Sequence, residues 1–205
     1  MINIFDNTTI KPIWESCQTK NWVKLITTNN LVDLDTFNNK DYFKLTANII
    51  RDNEIKPNGL KARNTVIRFV PTISKEEWEP KSEWIYLIVI NNKIVKIGGT
   101  RTGLKERCAS YICGHHIPER GKSGDCSKTN GFIYNTLDFY LEQGAKIELW
   151  GYQLPVTTHK AYVLGEEIDI IVQTYHAYET KMMENFKSTY GEYPSLNDNC
   201  DPDYK

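Results

Sequence analysis

The chain has 205 residues, of which 40% are hydrophobic and 25% charged, and a formal net charge of −1. This suits one sizeable core, with or without an extension, and excludes a collagen-like or wholly disordered chain. No run of about 18 apolar residues marks a membrane span, and the near-neutral total argues against an unspecific polyanion binder.

Met1-Ile-Asn-Ile-Phe-Asp lacks a basic region followed by an apolar core, so no secretory signal is expected. Cys17, Cys108, Cys113, Cys126 and Cys200 are odd in number and form no C-x-x-C pair, which points to reduced thiols and a cytoplasmic location. Residues 1–80 read as a mainly helical N-terminal extension. Helices are expected over Ile10–Thr27 and Asp33–Asp52, a turn at Pro57-Asn58-Gly59, and a short strand from Thr65 to Val70 stopped by Pro71. No catalytic spacing occurs here, so support, dimer contacts or part of a DNA grip are the roles left.

Residues 81–205 read as one α/β (α+β) domain, a small antiparallel sheet flanked by helices. Its centre is Trp84–Tyr111, WIYLIVINNKIVKIGGTRTGLKERCASY. Apolar runs on either side of Asn91-Asn92 predict a β-hairpin. Register decides its chemistry, because side chains alternate between faces. A three-residue or bulged connection at Asn91–Lys93 puts Tyr86 and Lys96 on one face with Ile88, Ile90 and Ile94. Ile85, Leu87, Val89, Val95 and Ile97 then form an apolar face. A helix follows, with Thr102 as the expected N-cap and Leu104, Cys108, Tyr111 and Ile112 as its buried stripe. Arg107 flanks that stripe and can reach back to the hairpin.

The Gly- and Pro-containing stretch 114–126 reads as a loop. From Lys93 to Asn130 there are eight basic residues (Lys93, Lys96, Arg101, Lys105, Arg107, Arg120, Lys122, Lys128) against three acidic ones (Glu106, Glu119, Asp125), a local excess of five. Such a field suits a phosphate backbone. The DNA-contact candidates are Arg101, Lys105, Arg120, Lys122, Lys128 and Asn130. Cys113, His115, His116 and Cys126 fit no common zinc spacing, so a DNA-facing loop is the better reading. A helix over Gly131–Gln143 capped by Thr129 or Asn130, a strand over Lys146–Gln153, two short strands within Ala161–Val172 and a helix over Tyr175–Tyr190 complete the pattern. The acidic tail Asp198–Asp203 belongs away from DNA.

Glu179 lies within the apolar stripe Met182, Met183, Phe186 and Tyr190 of that last helix, where a carboxylate needs compensation. Glu184 falls on the solvated face. Asn197, in Pro194-Ser195-Leu196-Asn197, reads by itself as a turn residue.

Tyr86 in W-I-Y, Lys96-Ile97-Gly98, Arg107, Glu179 and the late P-x-x-N occur in an order that resembles the GIY-YIG nuclease superfamily. The likeness runs from about Glu83 to Asn197 and takes in Ser110-Tyr111, Cys113-Gly114, Cys126-Ser127 and Thr129-Asn130. It is closest to the small single-domain type II restriction endonucleases in which lysine replaces the second motif's tyrosine. Trp84 departs from the motif glycine, and Gly99 stands where some relatives carry a histidine.

The resemblance implies cleavage of a short double-stranded DNA site by one-step attack of water. Tyr86 would accept the proton and Lys96 would stabilise its phenolate. Arg107 would offset phosphate charge, Tyr111 would orient water or phosphate, and Asn197 would brace the site near Tyr86. Glu179 would hold one Mg²⁺, with Mn²⁺ as a substitute. A homodimer with contacts from the N-terminal helices is expected, because two strands of a palindrome need two related sites, and a cognate DNA methyltransferase is implied in the same cell. A repair or homing-type nuclease, and a non-catalytic DNA-binding module of the same fold, are the alternatives.

Overall fold

A computed structural model describes residues 3–26, 31–52, 57–59, 66–116 and 127–197. The elements run α1 (Asn7–Ser16), β1 (Val32–Asp33), β2 (Lys44–Arg51), β3 (Ile67–Pro71), α2 (Lys75–Trp78), β4 (Trp84–Ile90), β5 (Lys93–Thr100), α3 (Leu104–Ile112), α4 (Lys128–Glu142), β6 (Ile147–Gln153), β7 (Thr157–Val163), β8 (Glu166–Val172) and α5 (Tyr175–Tyr190), with short 3-10 turns between some of them. Six strands form one antiparallel sheet in the order β1-β5-β4-β6-β2-β3, and β7-β8 form a separate two-stranded ribbon. The α+β architecture expected from the sequence is the one found. No helix among the described residues is long and apolar enough to cross a membrane.

Two of the early helices differ from expectation. The helix expected over Ile10–Thr27 ends at Ser16, and a single 3-10 turn, Lys20–Trp22, follows it. Over Asp33–Asp52 the chain forms 3-10 turns and then β2, between β6 and β3. Thr46, Ile49 and Ile50 are β-branched, and Thr46, Ala47 and Ile49 are buried in the sheet, so strand pairing outweighs a modest helical pattern. The first eighty residues therefore supply three of the six strands, where the sequence pattern suggested mainly helix. The strand expected from Thr65 is β3; Thr65 itself lies outside the described residues.

The central hairpin turns on two residues. Asn91 and Asn92 both have positive φ (45° and 66°), and Ile90 pairs with Lys93. Alternation from such a turn would send Lys96 to the face opposite Tyr86. The register shifts inside the strand instead: Val89 pairs with Ile94 but Ile88 with Lys96, which leaves Val95 as the extra residue of a β-bulge. The bulge returns Lys96 to the Tyr86 face. The expected irregularity is thus real but lies two residues beyond the connection. It also exchanges two neighbours, since Val95 packs with Tyr86, Ile88 and Ile90, and Ile94 with Ile85, Leu87 and Val89.

The sheet separates two cores. Leu104, Cys108 and Tyr111 of α3, Ile133, Leu137 and Tyr140 of α4, and Ile10 of α1 cover the Tyr86 face. Phe186 of α5, with Phe37 and Phe43, covers the other. All seven β4 residues are buried, as befits a central strand walled on both faces.

Candidate active site

Tyr86 projects from the centre of the sheet and is 1% exposed. Its ring lies over Gly98 on the neighbouring strand, where an added methyl group would overlap the ring atoms. The Tyr86 hydroxyl lies 2.6 Å from the Tyr111 hydroxyl. Arg107, one helical turn before Tyr111, donates from Nε to Tyr86 Oη at 2.8 Å and from Nη2 to Tyr111 Oη at 3.0 Å. Its guanidinium carbon lies 4.3 Å from the Tyr111 ring centroid. Spacing of four residues on α3 places both groups over the same point of the sheet.

The two phenols are not equivalent. Burial raises the pKa of both. The bond between them lowers the value for Tyr86 and raises that for Tyr111, which ends well above the usual tyrosine range. Either hydroxyl can donate in that bond, while Arg107 donates to both oxygens. Arg107 opposes burial at Tyr86 more than any other group does. The cation at the phenol is thus Arg107, not Lys96 as the sequence suggested. Tyr111 in turn is fully buried and engaged with Tyr86 and Arg107, which corrects its expected place against water or phosphate.

Lys96 is 5% exposed and donates to the Leu196 carbonyl at 3.2 Å. Burial, with help from the Arg107 charge, lowers its pKa to about 8, and the Glu179 carboxylate opposes that shift. The Leu196 carbonyl belongs to a C-terminal segment that takes the place of a strand. β1 pairs with β5 only at Lys93 and Ile94. Beyond it, Leu196 N–H donates to the Val95 carbonyl at 2.7 Å. Asn197 accepts from Ile97 N–H at 2.7 Å and donates to the Ile97 carbonyl at 2.6 Å. Asn197 thus braces β5 between Lys96 and Gly98, the residue that pairs with Tyr86.

Glu179 comes from α5, on the other face of the sheet. An added methyl at Gly99 would lie 2.8 Å from the Tyr175 ring and 3.0 Å from Glu179 Oε2. Gly98 and Gly99 therefore give the phenol and the carboxylate close approach to one strand from opposite sides. Gly99 stands where a side chain would displace both Tyr175 and Glu179. The Glu179 carboxylate is half-buried and makes no hydrogen bond or ion pair with the described residues. Its charge still raises the Tyr86 pKa. Glu184 is exposed, as expected.

Sequence reasoning missed Glu83 and Tyr175. Both carboxylate oxygens of Glu83 accept from Thr174 N–H, at 2.9 and 3.2 Å, and one accepts from Thr174 Oγ1 at 3.0 Å. Thr174 is the N-cap of α5, so this bond fixes the start of the helix that carries Glu179. No local spacing connects residues 91 positions apart.

The outer candidates are less concentrated. Arg101 is exposed and donates to Gln173 at 3.2 Å. Lys105 is exposed and paired with Glu79 at 2.8 Å. Lys128 is exposed at the start of α4. Asn130 is buried in the first turn of α4, which Ser127 caps in place of Thr129 or Asn130, so its side chain is not free for a base edge. Likewise α3 starts after Gly103, at φ 89°, while Thr102 bonds Thr100. Arg120, Lys122 and Cys126 lie outside the described residues. No group of three or more His, Cys, Asp and Glu that could hold a metal ion occurs among the described residues.

No family model and no curated protein matches the chain. Among solved structures, it is similar to the restriction endonuclease HPY188I in complex with product DNA, at a TM-score of 0.50 and 23% identity over 80% of this chain and 84% of that one. It is also similar to a mutant of bacteriophage T4 EndoII, at a TM-score of 0.44 and 22% identity over 73% of this chain and 92% of that one. The first likeness is one of fold.

Proposed function

We propose that this chain is a Mg²⁺-dependent DNA nuclease of the GIY-YIG kind, a type II restriction endonuclease cutting a short double-stranded site. The observation that carries this reading is the buried Tyr86–Tyr111–Arg107 cluster, whose hydroxyl and guanidinium groups lie within 3.0 Å of one another. The fold shared with an enzyme described as a restriction endonuclease bound to product DNA adds support. Residues 81–205 carry the chemistry and residues 1–80 support it.

The reaction is addition of water to a phosphodiester. A P–O bond forms to the water oxygen, the bond to the leaving oxygen breaks, and the leaving oxygen takes its proton from solvent. Tyr86, as phenolate, accepts the proton of the attacking water at Oη. Arg107 Nε and the Tyr111 hydroxyl hold that phenolate by charge-assisted hydrogen bonds. Lys96 adds a second positive charge for the phosphate while it remains protonated, which a pKa of about 8 allows at neutral pH. Glu83 and Asn197 fix α5 and β5, the two elements on which Glu179 and Lys96 ride.

The donor set suits the metal. Glu179 is a carboxylate with no hydrogen-bond or ion-pair partner among the described residues, and no group of three or more candidate metal ligands occurs among them. Mg²⁺ keeps several waters and takes phosphate oxygens, so one carboxylate is enough. When bound, it supplies Lewis-acid charge to the scissile phosphate. Mn²⁺ would fill the same role.

Incubation with plasmid DNA and Mg²⁺ tests the reading. Discrete fragments support a restriction enzyme, random nicks point to a repair-type nuclease, and intact plasmid overturns cleavage altogether. A homodimer on DNA and a partner methyltransferase belong to the same proposal.

A further inference from the structure

Among the described residues nothing polar holds Glu179, so packing sets the direction of its half-buried carboxylate. Helical side chains lean towards the N-terminus of their helix. Glu179 therefore lies over the turn that begins at Tyr175, four residues earlier. Both side chains rest on Gly99. A methyl group built there would lie 2.8 Å from Tyr175 Cδ2, 3.0 Å from Glu179 Oε2 and 3.4 Å from Glu179 Cβ. The glutamate thus runs along bare strand backbone from Cβ to carboxylate, with the aromatic ring against the same glycine.

Tyr175 is itself anchored. It packs against the core that includes Phe186 and Phe37. The two residues before it are tied to the ends of the central hairpin. Gln173 accepts from Arg101 at 3.2 Å, and Thr174 donates to Glu83 from N–H at 2.9 Å and from Oγ1 at 3.0 Å. The Tyr175 hydroxyl has no hydrogen-bond partner among the described residues, so packing of the ring is what places this side chain.

We propose that Tyr175 is a positioning residue: its ring walls Glu179 into one rotamer against Gly99, so that the carboxylate meets a divalent cation already aimed. The cation half of this rests on the nuclease reading; the rotamer half does not. A wall suits the task better than a polar partner. A lysine or another donor would hold the carboxylate by the lone pairs that a metal ion needs, whereas a ring leaves them open. Without the wall, the glutamate torsions must be frozen as the metal binds, and affinity for the metal falls. Turnover at saturating metal then changes little, because the loaded carboxylate ends in the same place.

Nuclear magnetic resonance on the full-length, metal-free and DNA-free chain tests the rotamer half. Three-bond side-chain couplings of Glu179 should report one dominant rotamer in the wild type and in Tyr175→Phe, and averaging in Tyr175→Ala. Cross-relaxation between the Tyr175 ring and the Glu179 methylenes gives a readout that needs no variant, should Tyr175→Ala fail to fold. Plasmid cleavage against Mg²⁺ concentration tests the other half. The half-saturating Mg²⁺ of Tyr175→Ala should rise roughly 10-fold, with the rate at saturating Mg²⁺ within about 3-fold of wild type. Tyr175→Phe should match the wild type throughout. Averaged couplings in the wild type, absent cross-relaxation or an unchanged rotamer in Tyr175→Ala overturn the proposal. So does a loss of cleavage that no Mg²⁺ concentration restores, since the ring would then serve only the fold. Failure of Tyr175→Phe overturns it too, because the hydroxyl would be the acting group. A wild type with one Glu179 rotamer, averaged in Tyr175→Ala, that leaves plasmid intact refutes the nuclease reading and leaves the positioning role standing.

Discussion

Arg107 Nε donates to the Tyr86 hydroxyl at 2.8 Å, and the same guanidinium holds Tyr111, whose hydroxyl meets Tyr86 at 2.6 Å. This makes Arg107 the group that decides how readily Tyr86 ionises. Arg107→Met should leave two buried phenols without their cation. The Tyr86 ionisation should move to higher pH in an ultraviolet difference titration, and cleavage should fall by about 10²–10⁴-fold. An unchanged titration would show that the contact is only structural.

Lys96 links pH to stability. Its folded-state pKa of about 8 lies below the ordinary 10.5, so the unfolded chain holds the proton more firmly between those values. Stability from this residue therefore rises as pH climbs from about 8 to 10.5. Lys96→Met, which buries no charge, should be more stable than the wild type by roughly 1–3 kcal/mol at neutral pH, with the gap closing towards pH 10.5. It should also fail to cut. Denaturant melts at neutral pH and near pH 10 check the first claim; a gap that widens with pH would contradict it.

How much of this was legible beforehand varies by residue. Tyr86 and Lys96 could be placed on one face because an apolar hairpin with a single phenol, and only Lys96 besides the turn residue Lys93 as an ammonium, permits few registers. The bulge at Val95 could not be located, since Ile-Val-Lys-Ile has no glycine or proline to mark it. Glu179 stood out as a carboxylate in an apolar stripe, and helix periodicity was sufficient for that. The Asp33–Asp52 stretch misled because its apolar residues suit both periods, and only pairing with β6 and β3 decides between them. The contacts Glu83–Thr174 and Lys96–Leu196 join residues far apart in the chain, where local pattern carries no information.

Gly99 is the close approach on the Glu179 side of β5. Gly99→Ala would press on Tyr175 and on Glu179 Oε2. Overpacking of this kind costs about 1–3 kcal/mol. Displacement of the carboxylate should lower cleavage on the order of 10–100-fold. Steady-state cleavage and a thermal melt on the same sample separate the two effects; full activity would mean that Glu179 has room to spare.

Asn197 replaces a strand partner with one side chain. Asn197→Ala leaves the buried Ile97 N–H and carbonyl without their bonds. It should destabilise the chain by roughly 2–3 kcal/mol. Amide exchange at Ile97 should accelerate with it, and a melt equal to that of the wild type would rule out the brace.

The most direct measurement compares wild type, Glu179→Ala and Glu184→Ala on the same plasmid in Mg²⁺, with duplex-DNA binding followed in parallel. Glu179→Ala should show no detectable cleavage and retain binding, because the carboxylate is absent while the basic surface is intact. Glu184→Ala, on the exposed side of α5, should cut like the wild type. Cleavage by Glu179→Ala at a rate comparable to wild type, or loss of activity in Glu184→Ala instead, would contradict the assignment of the site.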